Sequence, residues 1–152
     1  MPCGIVPKNV ASVVKHLEIP EGVQSIDDYA FENFESLESI VIPSTMKHIG
    51  ARAFRGCASL RSIQLPDGLQ TIGAAAFCMC DSLEEVIVPA STMSVGSYAF
   101  GLCKGLKRVE ILGKNTLVSK DAFGRDENLE SIDFIAKTLE QVQDTPQFPF
   151  GA

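Results

Sequence analysis

The dipeptide Ala-Phe occurs at Ala30-Phe31, Ala53-Phe54, Ala76-Phe77, Ala99-Phe100 and Ala122-Phe123, each copy 23 residues after the last. The same interval carries Leu37, Leu60, Leu83, Leu106 and Leu129, and then Ile40, Ile63, Val86, Val109 and Ile132. It also carries Ile26, Ile49, Ile72, Val95 and Val118, and a proline column at Pro20, Pro43, Pro66 and Pro89. Self-similarity at a fixed period of this size is the signature of a repeat architecture and outranks local propensity. A unit of this length cannot bury its own apolar face, so successive units must stack, with the Phe, Leu and Ile columns forming continuous buried ladders.

Within a unit, Leu37-x-x-Ile40-x-Ile42 ends in strict alternation, which suits a short strand with one buried face, and Pro43 stops it. Glycine then recurs at Gly50, Gly73 and Gly96, which requires either a positive φ or a close approach of backbones. The following Ala-Arg-Ala-Phe-Arg-Gly-Cys-Ala-Ser is long enough for a turn or two of α or 3₁₀ helix with Phe54 facing inward. The alanine column marks a place where adjacent coils come too close for a larger side chain. Each unit thus reads as strand, bend, short helix and return.

The consensus L-x-x-I-x-I-P…I-G-x-x-A-F-x-x-C-x-x-L resembles the BspA-like, or Treponema-type, leucine-rich-repeat family over residues 14 to about 142. The fold expected is α/β: a right-handed leucine-rich-repeat solenoid of short parallel strands with short α or 3₁₀ turns. Residues 1–13 read as a degenerate N-terminal cap or partial repeat, 14–137 as a solenoid of about five units, and 138–152 as a partial repeat or C-terminal cap. The resemblance implies a bacterial or protist surface protein engaged in adhesion, with a protein or glycan ligand such as a host extracellular-matrix or cell-surface protein. A monomer, extracellular or at a cell surface, is the expected form. The alternative is a cytoplasmic scaffold for protein–protein interaction, favoured by the absence of an N-x-[ST] sequon and of a continuous apolar stretch in the first twenty residues.

Composition excludes several classes. The formal net charge is −6 with no basic cluster, so a nucleic-acid backbone would be repelled. The longest mainly apolar stretch, Ile72 to Cys80, falls far short of the roughly 18 residues of a membrane-spanning helix, so no membrane insertion is expected.

Candidate chemistry reads as structure. Cys57, Cys80 and Cys103 share one repeat column, with Phe34 and Asp126 at its outer copies, whereas Cys3 and Cys78 lie outside it. A column that tolerates phenylalanine is a packing site, so a buried thiol ladder is favoured over an inter-coil disulfide or a metal site. His16 and His48 fall in columns otherwise filled by polar residues, and no nucleophile elbow or phosphate-cradling glycine loop occurs. Acidic pairs such as Glu84-Glu85 and Asp27-Asp28 lack the offsets of a calcium loop. No enzyme activity, cofactor or metal is therefore expected.

The surface best suited to binding is the outward residue of each strand: Glu18, Val41, Gln64, Ile87, Glu110 and Asp133. This column varies while its neighbours repeat. Arg61, Glu84, Lys107 and Arg108 flank it, giving a mixed-charge face with Val41 and Ile87 as apolar points. Tyr29 and Tyr98 share a column before Ala-Phe and form a candidate second anchor.

Overall fold

A computed structural model describes residues 8–135. The segments 1–7 and 136–152, with Cys3 and the expected C-terminal cap at 138–152, lie outside the described residues. The described residues begin with a single helical turn, α1 (Lys8–Ala11), and then wind into stacked coils in which every described strand pairing is parallel and offset by 23 residues. One face holds β1 (His16–Glu18) and β3 (Ser39–Val41) as one sheet and β6 (Glu85–Val88), β8 (Arg108–Ile111) and β10 (Ser131–Phe134) as another. The other holds β2 (Ser25–Ile26), β4 (His48–Ile49), β5 (Thr71–Ile72), β7 (Ser94–Val95) and β9 (Leu117–Val118), which form one continuous five-stranded sheet.

Alternation and proline together set the strand length. In β6 and β8 exposed and buried residues alternate, as period-two geometry requires. Proline lacks the N–H that would carry the ladder onward. Leu112 stands where other coils have proline, and its N–H does donate to Val88 O at 3.0 Å. The prolines instead close tight turns through their carbonyls, which accept from Met46, Leu69 and Thr92, each at 3.1 Å.

The segment around Ala-Phe differs from the expected α or 3₁₀ helix. Arg52, Phe54 and Gly56 donate their N–H groups to Ala74, Ala76 and Cys78 of the next coil at 2.8–2.9 Å. The amides between them, Ala53, Arg55 and Cys57, donate three residues back within their own coil. A helix needs every amide for itself and every φ negative. Here alternate amides serve the neighbouring coil, and two left-handed residues interrupt each of the first four turns, such as Arg52 (φ 56°) and Gly56 (φ 80°), with Arg125 (φ 60°) in the fifth. Among the described residues α1 is the only α-helix, so the architecture is a parallel β-solenoid with hydrogen-bonded turns in place of helices.

The core is a set of axial ladders. Phe31, Phe54, Phe77, Phe100 and Phe123 stack at centroid distances of 5.2–5.8 Å with planes within 15° of parallel. Ala53, Ala76, Ala99 and Ala122 are fully buried beside them. The recurrent glycines owe their place to proximity and not to φ: a Cβ on Gly73 or Gly96 would lie 2.7 Å from the backbone N of Ala51 or Ala74 in the coil before.

Candidate functional site

The strand face gathers the expected outward column. Val41 pairs in register with Glu18, and Ile87, Glu110 and Asp133 follow one another across β6, β8 and β10. All six column residues, Gln64 included, are exposed. Val41 and Ile87 keep 46% and 48% of their surface in solvent, which for β-branched residues on a regular strand marks the apolar part of this face. The flanking charges are partly tied down between coils: Arg108 reaches Glu85 at 3.1 Å and Lys107 lies 3.9 Å from Glu84. Arg61 is exposed beside them.

The column is interrupted at its centre, which sequence periodicity does not reveal. In the third coil Ser62 makes a single bridge to Ser39, and no strand forms over residues 61–65. Among the described residues, no backbone hydrogen bond joins this segment to β6, although β6 pairs fully with β8. The face is therefore two sheets, β1–β3 and β6–β8–β10, meeting at a seam beside Gln64, while the opposite sheet runs unbroken.

The thiols form the expected ladder. Cys57, Cys80 and Cys103 donate their S–H groups to the carbonyls of Phe31, Phe54 and Phe77 at 3.4, 3.4 and 3.2 Å. Burial pushes the Cys57 thiol up to about 12 and raises Cys80 and Cys103 well above the usual thiol range, so none supplies a thiolate near neutrality. Cys78 is also buried, and all four described cysteines are unpaired. Among the described residues no group of three or more His, Cys, Asp or Glu is placed to hold a metal ion. His16 and His48 lie exposed, with Nδ1 2.6 Å from Ser39 Oγ and 2.8 Å from Thr71 Oγ1.

Asp126 is the exception in the thiol column. Only 1% exposed, it accepts the Cys103 N–H at 2.8 Å through Oδ1, whereas Oδ2 has no hydrogen-bond partner among the described residues. Burial moves its pKa up to about 8, against the smaller opposing pull of the Cys103 amide.

The two tyrosines stand in different surroundings. Arg52 lies 5.6 Å over the exposed ring of Tyr29, whereas Tyr98 covers the backbone of Gly101 and Gly124. Sequence reasoning also missed a groove of about 490 Å³ that runs across successive coils and is lined by Gly56, Met79, Leu102, Asp81, Lys104 and Arg125. It depends on the second left-handed column, which no glycine pattern marks.

The BspA type leucine rich repeat region model matches residues 11–130 in six copies. A Treponema pallidum leucine-rich-repeat protein is 35% identical with a TM-score of 0.63, covering 63% of this chain and 45% of its own. A leucine-rich cell surface protein from Faecalibacterium prausnitzii is 26% identical with a TM-score of 0.81, covering 88% and 35%. A leucine-rich-repeat protein from Bacteroides ovatus is 30% identical with a TM-score of 0.72, covering 78% and 33%. The chain thus spans less than half the length of these proteins. No match to it is found among curated proteins. Among the described residues no helix is long and apolar enough to cross a membrane.

Proposed function

Because the chain belongs to the BspA-type leucine-rich-repeat family, we propose that it is a non-enzymatic docking module whose strand face binds a protein partner at a cell surface, in adhesion or host contact. Leucine-rich repeats generally act as protein-interaction modules. The observation that carries the reading is the outward strand column, where Val41 and Ile87 stand half exposed among varied polar residues on a scaffold whose other columns repeat. A surface of this kind orders few groups on binding, because inter-coil hydrogen bonds and stacked rings already hold the backbone. The surface setting is supported by the Faecalibacterium neighbour, which is described as a cell surface protein.

The test is binding of the purified chain to immobilised extracellular-matrix proteins and to intact host cells, beside a Val41→Glu, Ile87→Glu double variant of unchanged melting temperature. Saturable binding that the double variant loses supports the reading. Equal binding by both proteins moves the site off the strand face.

A further inference from the structure

Resting on the strand-face reading, we infer that the partner presents a basic, partly apolar polypeptide surface to this face. The central column holds three acids, Glu18, Glu110 and Asp133, and no base. In the two flanking columns acids and bases cancel: Lys15, Arg61 and Lys107 balance Glu38, Glu84 and Glu130, and Arg108 balances Glu85. The face is therefore net acidic along its midline. Two of its bases, Lys107 and Arg108, already lie against Glu84 and Glu85 of the neighbouring coil, which leaves them less able to receive an acidic ligand.

The placement of the midline acids strengthens the case. Glu110 and Asp133 are register partners on adjacent parallel strands, both exposed on the same side. Like charges set directly opposite each other across two strands disfavour the sheet. A cation seated between them would turn that repulsion into attraction. Ile87, the register partner of Glu110 on the other side, continues the same line with an apolar side chain, and Val41 repeats it beyond the seam. The sequence of features along the face is acid, apolar, polar, apolar, acid, acid. A polypeptide that sets cationic and aliphatic side chains on one and the same face, the cations against the acids and the aliphatic groups against Val41 and Ile87, complements it, and an acidic protein does not.

The experiment uses the full chain and a nine-residue probe peptide, Lys-Ser-Lys-Ser-Val-Ser-Leu-Ser-Lys, whose lysine and aliphatic side chains share one face of an extended chain, with Glu-Ser-Glu-Ser-Val-Ser-Leu-Ser-Glu as its counterpart, titrated by fluorescence anisotropy at 50 and 300 mM salt. The inference expects the lysine peptide to bind at the lower salt and to weaken at the higher, because exposed charges are screened over the Debye length. Glu110→Gln with Asp133→Asn should weaken it roughly tenfold or more, while Asp27→Asn with Asp67→Asn, which removes the same charge away from the face, should leave it within about twofold of the parent.

Preference for the glutamate peptide, or no binding of either peptide up to 1 mM, overturns the basic partner. Equal weakening by both pairs of substitutions also overturns it, since net charge alone would then explain the binding. If Val41→Ser with Ile87→Ser abolishes binding to matrix proteins while Glu110→Gln with Asp133→Asn leaves it intact, the docking face stands and the basic partner falls.

Discussion

Phe77 is the central ring of the stacked column, fully buried and flanked by Phe54 and Phe100, each at 5.2 Å with planes within 8° of parallel. Phe77→Ala removes the ring and leaves a cavity that neighbouring coils cannot collapse into, because Ala76 and the inter-coil hydrogen bonds at Phe77 hold the backbone in place. A buried Phe→Ala change costs about 3–5 kcal/mol, and losing two ring pairs places this site at the upper end of that range. Among the described residues Phe123 has one stacked neighbour, at 5.8 Å, and it keeps 4% exposure, so Phe123→Ala should cost about 3 kcal/mol, at the lower end. Phe77→Leu keeps most of the volume and should cost less than either. Urea denaturation followed by circular dichroism reads these differences, with a fall in Tm of about 10 °C accompanying the Phe77→Ala change. A cost below about 1 kcal/mol for Phe77→Ala, or equal costs at both positions, would refute the continuous ladder.

Three further outcomes follow from the geometry. Gly73→Ala puts a Cβ 2.7 Å from the backbone N of Ala51 and should destabilise by about 1–3 kcal/mol, a cost that denaturant titration reads directly. Asp126 has its folded pKa raised to about 8 from an ordinary 3.8, so its contribution to stability is whole below about pH 4, drains away as pH rises to about 8 and is flat above. Denaturation across that range should show a fall on the order of a few kcal/mol that Asp126→Asn flattens. At the seam, the amides of Glu85 and Ile87 have no backbone acceptor in the third coil, so hydrogen exchange should be faster there than at their register partners Arg108 and Glu110. Equal protection at both pairs would close the seam.

The repeat period made most of the fold legible. Columns of one residue type, such as Phe31 to Phe123 or Leu37 to Leu129, can arise only where like sites stack, and the structure places them in the core as expected. The thiol column was legible for the same reason, since Phe34 replaces a cysteine at one end and packs edge-on against Phe31 at 5.4 Å. What the pattern hid was hydrogen bonding between coils. A nine-residue segment rich in alanine favours a helix by local propensity, yet three of its amides, those of Arg52, Phe54 and Gly56, find acceptors 22 residues ahead, and their pull is invisible in a local window. Left-handed backbone at Arg52, Met79 and Leu102 carries no glycine to announce it, because those inter-coil bonds offset the strain. Of the candidate site, the outward column was legible from alternation alone. The seam was not: Ser62-Ile63-Gln64-Leu65 has the same alternation as its neighbours, and nothing in the structure explains why it forms no strand.

An amide footprint tests the strand face as the docking surface most directly. Isotope-labelled protein titrated with a matrix protein that it binds should show chemical-shift changes concentrated at Val41, Gln64, Ile87, Glu110 and Asp133, with the opposite sheet from Ser25 to Val118 unmoved. Shifts confined to the groove at Gly56, Met79 and Leu102, or to the opposite sheet, would contradict it.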